Sequence, residues 1–350
     1  MNYTIYEQLL LIVTLITVAL QCFVIWMVQN KTPSNMKDYR YYLNNFTSWD
    51  MLFTIILGII FQPFPTTPIF ASSVRGLALY GGIEFSRIMA ASAVYGGSTV
   101  ICAQDLALMY RWAIIYPDRR VHNFFVSKYF KIPWTIFYQT ISISLAVAFY
   151  LCFIPEAELP AYLATQKPIT VPLIPNEVII CMDLTATKSR LFVVTLVALF
   201  GISETLCFTF IYLILKILRE HKIKFSAATR KLHFQFLFLL TAQLLTPVVL
   251  IILPVTLDLL LVIAGGYIPT TFAVEIGYLA ITFYGFTNAS FCIWFVGPYR
   301  MFVYEKFVLP WLTPIRNILK LESSSAVGHI STLNAPSTIA QLDPRSSLMF

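Results

Sequence analysis

Charged residues are scarce in this sequence. They make up 12% of its 350 residues, whereas hydrophobic residues make up 58%. A soluble globular domain has about 25% charged residues, so the composition excludes that class and indicates that lipid surrounds most of the chain. The net charge of +7 does not indicate a nucleic-acid partner, because the basic residues alternate between successive connections and do not form one patch.

Histidine and cysteine are also few, and lysine is missing from the last two predicted spans. No metal-spaced pair of histidines or acids occurs in an apolar run, so we expect no enzyme, no metal and no cofactor. Residues 232–305 contain no lysine, which excludes a retinal Schiff base in the last span. Of the six cysteines, Cys152 and Cys181 are the two that could form a disulfide in an oxidising compartment.

Long apolar runs are what the chain has in abundance. Each is long enough for a hydrocarbon core, which needs roughly 20 helical residues. The sequence therefore predicts an all-α membrane protein with a seven-transmembrane helix bundle. The predicted spans are 9–28, 46–70, 83–109, 133–153, 191–215, 232–257 and 270–297.

The distribution of basic residues predicts the orientation of the bundle. The first, third and fifth connections and the tail carry 19 of the 24 lysines and arginines. Because basic segments stay on the cytoplasmic side, we expect the N-terminus outside and the C-terminus in the cytoplasm. Asn2, in an N-glycosylation pattern, is then a candidate acceptor on the outer side.

The chain is expected to contain one membrane domain, 1–310. Five prolines in the outer connection 154–190 favour an irregular lid over a helix. Alternating apolar and charged residues predict an amphipathic helix over 299–309 on the inner leaflet. Residues 311–350, poor in large apolar side chains towards the end, are expected to be a disordered cytoplasmic tail.

Two motifs carry a resemblance to a known family. The first inner connection opens with Lys31-Thr32-Pro33, and the seventh run closes with Pro298-Tyr299-Arg300. Together they resemble nematode serpentine chemoreceptors of the Str superfamily, most closely class H, over about 30–310. The family commonly has Asn where this chain has Gly297.

This resemblance implies a chemosensory G-protein-coupled receptor of rhodopsin-like architecture, acting in olfaction. Its partners would be an odorant-like small molecule, a heterotrimeric G-protein and the bilayer. Its location would be the plasma membrane, in the cilia of a sensory neuron.

Candidate coupling residues lie on the predicted inner face. Arg111 stands in a stretch similar to the Arg-containing motif of rhodopsin-like receptors, but no acid directly precedes it. It could receive the G-protein, with Asp105 as its counter-ion, or it could be a snorkelling anchor. Between spans five and six, the stretch from Leu218 to Lys231 adds five basic residues that could face an acidic partner or anionic lipid: Arg219, Lys222, Lys224, Arg230 and Lys231.

Ionisable residues inside the spans are candidates for a ligand site, because a charge at mid-membrane must find a partner or water. Glu84 and Arg87, three residues apart, could pair on one helix face. Together with Glu275 they could line an outer-facing pocket, with Glu204 as its floor. Alternatively, each of these residues could be hydrogen-bonded or ion-paired within the bundle without contacting a ligand. We expect Asp50 to be an interfacial structural residue.

A small-solute transporter or channel is the competing function. Glu204, Asp105 and Glu84 could mark a polar path through the bundle. Ligand-evoked nucleotide exchange on a G-protein would support the receptor, and solute flux without a G-protein would support the alternative.

Overall fold

The computed structural model describes residues 5–32, 37–66, 70–165, 178–220, 237–239, 241–253, 256 and 271–310. Asn2, Lys222, Lys224, Arg230 and Lys231, together with the tail 311–350, lie outside the described residues. Contacts divide the chain into two units, Met1–Arg300 and Met301–Phe350. The architecture below is that of the first unit, and residues 301–310 of the second are helical.

Helices form most of the described chain. They are α1 (Ile5–Asn30), α2 (Lys37–Ile55, continued by a π-helical turn Ile56–Phe61), α3 (Gly82–Ile115), α4 (Arg119–Val126), α5 (Lys128–Cys152), α6 (Leu159–Thr165), α7 (Thr187–Glu220), α8 (Leu237–Leu250), α9 (Thr271–Phe295) and α10 (Gly297–Val303). By length and apolar composition, five described helices could cross a membrane: Ile5–Asn30, Arg40–Phe61, Lys128–Cys152, Thr187–Glu220 and Val274–Phe295. With 34 residues, α3 is also long enough, at about 50 Å.

The long helices pack as a bundle around α3. α1 packs against α9 and α2, and α3 packs against α2, α5 and α7. α8 meets α9, where the rings of Phe238 and Phe295 lie 4.9 Å apart and Gln243 Nε2 donates to Cys292 Sγ at 3.4 Å. The central position of α3 explains why its buried side chains continue along most of its length.

A glycine allows α1 and α2 to approach closely. A Cβ atom at Gly58 would lie 2.0 Å from Thr14 Oγ1. Thr14 is fully buried, and its hydroxyl donates to the carbonyl of Leu10 at 2.6 Å. Small residues at such contacts are typical of membrane helix packing, because they bring the two backbones together.

A three-stranded antiparallel sheet covers one end of the bundle. Its strands, in spatial order, are β1 (Pro63–Thr66), β2 (Ala71–Val74) and β3 (Ile179–Cys181). Pro63 pairs with Val74, and Ala71 pairs with Cys181. Two prolines are tolerated in β1 because it is an edge strand. We call this end of the bundle the sheet end, and the opposite end, which carries α4, the basic end.

The sheet corrects two predictions. The second span was predicted to run to residue 70, but its helix ends at Phe61. Gln62 takes a left-handed conformation with φ 44° and donates its N–H to Leu57 O at 2.9 Å, which is a helix C-cap. The connection 154–190 is also not wholly irregular, because it contains α6 and β3. Pro160 is the second residue of α6, where a missing N–H costs no helical hydrogen bond.

The predicted disulfide is wrong, because Cys152 and Cys181 are both free and buried. The N–H of Ile154 donates to Cys181 O at 3.0 Å, so Cys181 lies opposite Ile154 and is offset by two residues from Cys152. Burial, with Asp183 nearby, raises the pKa of the Cys181 thiol to about 12.

Candidate ligand and signalling sites

Glu84 and Arg87 form the ion pair that their spacing predicts, near the start of α3 at the sheet end. The pair is part of a network. Arg87 also donates through Nη2 to the carbonyl of Ile154, and the Tyr150 hydroxyl donates to Glu84 Oε2 at 2.7 Å. Because Arg87 is buried and Glu84 is half exposed, the guanidinium holds the start of the connection after α5 against α3, while the carboxylate remains accessible.

A second ion pair joins α1 to the residues after β2. Arg75 Nε lies 3.4 Å from Glu7 Oε1, and the Arg75 guanidinium stands over the Phe64 ring at 5.4 Å. Gln62 Nε2 donates to the backbone carbonyl of Glu7 at 3.2 Å. No sequence motif marks this pair. Its partners are 68 positions apart, so no local pattern could have paired them.

Glu275 lies on α9, near the sheet end. Its carboxylate and the Tyr278 hydroxyl both interact electrostatically with the Tyr6 hydroxyl of α1. Tyr6 donates to the carbonyl of Pro63 at 2.8 Å. Glu275 therefore belongs to a cluster of hydroxyls and carboxylates beneath β1, separate from the Glu84–Arg87 network.

Glu204 lies on α7, within a polar contact between α3 and α7. Asp105 of α3 accepts hydrogen bonds from Ser203 Oγ at 2.6 Å and Cys207 Sγ at 2.8 Å. Both Asp105 oxygens are thus engaged by α7, which argues against its predicted role as the counter-ion of Arg111. The Glu204 carboxylate interacts electrostatically with Asp105, and its Oε2 is buried without a hydrogen-bond partner among the described residues.

Asp50 is not interfacial as predicted, because it is almost completely buried between α1, α2 and α9. Asn288 Nδ2 lies 3.4 Å from Asp50 Oδ2, and Gln21 also lies beside the carboxylate. A Cβ atom at Gly285 would come within 2.8 Å of Gln21 Nε2, so this glycine makes room for the polar cluster. Asn288 is 238 positions from Asp50 in the sequence. The one sequence feature that marks this cluster is therefore an acidic residue inside an apolar run.

Arg111 is buried near the last turn of α3, at the basic end. Its neighbour Tyr110 is also buried and stacks on Tyr42 of α2, with ring centroids 4.2 Å apart. The ring of Trp112 packs against that of Phe210 of α7, with centroids 5.6 Å apart. The end of α3 is thus packed against both α2 and α7, and Arg111 lies between these contacts along the chain.

The two motifs that carry the family resemblance meet at the basic end. The hydroxyls of Thr32 and Tyr299 are 2.7 Å apart, and Tyr299 is buried. The Thr32 hydroxyl also contacts the Val28 carbonyl at 2.5 Å. Pro298 and Arg300 flank Tyr299 in α10, so the motif residues fasten the end of α9 to the end of α1.

Arg219 lies near the end of α7, where it helps to line an open surface depression of about 360 Å³ along that helix. The other lining residues are Tyr212, Leu215, Lys216 and Glu220. Lys216 and Glu220 are one helical turn apart at 4.0 Å. Arg219 is therefore available at the surface beside a weak, exposed ion pair.

Four basic side chains among the described residues of the sheet end are paired within the protein. Besides the two arginines in ion pairs, Lys188 Nζ donates to the Leu151 carbonyl at 2.9 Å, and Arg190 Nε donates to the Leu184 carbonyl at 3.2 Å. By contrast, Arg119, Arg120 and Lys128 at the basic end have no ion pair or side-chain hydrogen bond within the part of the chain that the structure describes.

The bundle has the fold of seven-helix receptors of the rhodopsin type. Squid rhodopsin matches it with a TM-score of 0.57 at 13% sequence identity, over 89% of this chain and 88% of that chain. The family model for the serpentine type 7TM GPCR chemoreceptor Srh matches residues 2–309. The chain therefore belongs to this chemoreceptor family and is a multi-pass membrane protein. No curated protein matches it significantly.

Proposed function

We propose that this receptor binds an environmental small molecule from the sheet end and activates a heterotrimeric G-protein at the basic end. The sheet end then faces outside the cell and the basic end faces the cytoplasm, in the plasma membrane of a sensory cilium. The difference in charge pairing between the two ends carries this proposal. Unpaired basic side chains favour the cytoplasmic side and an acidic protein partner.

Within this proposal, Glu84, Glu204 and Glu275 are the acids that contact or accommodate the ligand. Glu84 is half exposed at the sheet end, and Glu275 stands beside Tyr6. Arg87 would contribute to the ligand site indirectly, by holding the connection after α5 in place, because its guanidinium already binds Glu84 and the Ile154 carbonyl.

The proposed coupling surface centres on Arg111 and Arg219. Arg111 is buried at the end of α3, and Arg219 lies beside a surface depression at the end of α7. Receptors open by moving their helices apart, and separation of α3 and α7 would uncover Arg111 for a partner. Lys222, Lys224, Arg230 and Lys231 complete the proposed basic rim.

Expression of the full chain in cells carrying a G-protein reporter, with an odorant library as the probe, tests the proposed function. We expect ligand-evoked nucleotide exchange that Arg111→Gln abolishes while surface expression and ligand binding persist. Arg190→Gln is the matched control, because it removes one positive charge from the sheet end. Solute flux without nucleotide exchange would overturn the proposal in favour of a transporter or channel.

A further inference from the structure

The connection between α3 and α5 is a fixed helical corner at the basic end. Asp118 caps α4 by accepting from the N–H of Arg120 at 2.8 Å, and Ser127 caps α5 by accepting from the N–H of Tyr129 at 3.0 Å. The N–H of Ser127 in turn bonds to the carbonyls of Asn123 and Phe124, both at 3.1 Å. Each cap removes an unsatisfied donor, so the two helices meet in a defined geometry.

Aromatic contacts fix which face of α4 points away from the bundle. Phe125 lies 5.9 Å from Trp112 of α3 and 4.4 Å from Phe130 of α5. With Phe125 directed inwards, Arg119, Arg120 and Phe124 are exposed. The exposed face therefore carries two guanidinium groups and one large aromatic ring.

The positive charge of this corner is not neutralised by an acid among the described residues, apart from the capping carboxylate of Asp118. Asp118 is the one acid between positions 112 and 131, and its carboxylate caps α4. Among the described residues, Arg119 and Arg120 make no ion pair. Lys128 lies over the Tyr129 ring at 5.6 Å, and Lys131 lies over the Tyr41 ring at 5.2 Å, contacts that leave each ammonium its full charge.

Exposed apolar side chains adjoin these charges. Phe124 is 53% exposed, Tyr129 is 77% exposed and Ile132 is 56% exposed. Further exposed apolar residues follow along α5, including Ile136 and Phe137. Basic side chains next to aromatic rings, continuous with a lipid-facing helix, are typical of the boundary between headgroups and acyl chains.

We propose that the exposed face of α4 and the first turn of α5 form a binding site for the phosphate headgroups of anionic lipids. Arg119, Arg120 and Lys128 would bind the phosphate oxygens, and Phe124 would insert among the acyl chains. Arginine is suited to this role because its guanidinium can donate two parallel hydrogen bonds to phosphate. This lipid site goes beyond the proposed signalling function and does not require a chemical ligand or a G-protein.

The test uses the purified full chain in detergent with a fluorescent short-chain phosphatidylinositol bisphosphate as the probe. Arg119→Gln combined with Arg120→Gln should weaken binding about 25-fold, since each basic residue near anionic lipid contributes about fivefold. The matched control, Lys188→Gln combined with Arg190→Gln, removes the same charge from the sheet end and should change binding less than about twofold. Replacing both Arg119 and Arg120 by Lys should restore only part of the affinity, because an ammonium keeps the charge but cannot donate the two parallel hydrogen bonds of a guanidinium.

Three outcomes would overturn the lipid site. Equal losses in both double variants would mean attraction by net charge alone. Competition by inositol phosphate or inorganic phosphate as strong as that by the lipid would mean a site for free phosphate. Reduced G-protein activation with unchanged lipid binding would assign the surface to a protein. Unchanged thermal unfolding of each variant shows that folding is intact, and a nanodisc of neutral phosphatidylcholine gives the baseline.

Discussion

At the sheet end, Arg75, Arg87, Lys188 and Arg190 each bind a carboxylate or carbonyl of the protein itself. At the basic end, Arg119, Arg120 and Lys128 bind none among the described residues. These four side chains are thus bound within the sheet end. At the basic end Arg40 donates to the Gln29 carbonyl at 3.3 Å, but Arg119, Arg120 and Lys128 are left available to partners. In the proposed orientation this difference would suit a receptor, whose outer end holds a ligand site and whose inner end accepts a protein partner.

The largest effect is expected from breaking the closed end. Arg87→Met removes the buried donor to the Ile154 carbonyl and leaves that acceptor unsatisfied. We expect a loss of about 2–3 kcal/mol in the free energy of unfolding, because a charged hydrogen bond is lost from a buried site. Thermal or denaturant unfolding in detergent measures the change.

The matched control for this variant is Lys188→Met, which removes an exposed donor to a backbone carbonyl. It should cost about 0.5 kcal/mol or less. Equal losses in the two variants would contradict a special role for Arg87 in closing the sheet end.

A smaller effect is expected in the middle of the bundle. Asp105→Asn weakens the contacts with Ser203 and Cys207 that join α3 to α7. The expected loss is about 1–2 kcal/mol, the range for polar contacts between membrane helices. Unfolding in mixed detergent is the measurement. Glu204→Gln, next to Ser203 on α7, should cost less, and a larger loss there would show that Glu204 carries this contact.

At the basic end, Tyr299→Phe removes the hydrogen bond between Tyr299 and Thr32, which joins α10 to the end of α1. It should cost about 1 kcal/mol, because one buried hydrogen bond is lost. Thr32→Val removes the same bond from the other side. A double-mutant cycle on the unfolding free energy should therefore be non-additive. Additive losses would mean that the two hydroxyls do not interact.

No effect is expected from a reductant. The sheet end is held by strand pairing and by Arg87, and Cys152 and Cys181 are free. The midpoint of thermal unfolding should thus be the same with and without dithiothreitol. A native bridge would contribute about 2–5 kcal/mol, so a marked fall in the midpoint on reduction would restore the disulfide.

The sequence predicts the helices well because an apolar run of about 20 residues has few other structures open to it. The predicted Glu84–Arg87 pair is confirmed, since a spacing of three residues on one helix is a local property. The motifs around Thr32 and Tyr299 identified the family, but their contact across 267 positions emerges only from the fold.

The sheet and the buried polar clusters could not be predicted in this way. Strands of three or four residues that contain Pro63 and Pro65 carry too little alternation to be distinguished from a loop. Asp50 was assigned to an interface because sequence reasoning places an unpaired acid near water. Its burial is possible because Asn288 and Gln21 lie beside it on other helices.

Accessibility of the two ends in intact cells tests the central claim most directly. Tyr80 at the sheet end is 83% exposed and Tyr129 at the basic end is 77% exposed, so single Tyr80→Cys and Tyr129→Cys variants give matched sites for a membrane-impermeant maleimide. With the unaltered chain as background, we expect Tyr80→Cys to be labelled in intact cells and Tyr129→Cys only after permeabilisation. Labelling of Tyr129→Cys in intact cells, with Tyr80→Cys protected, would contradict the account.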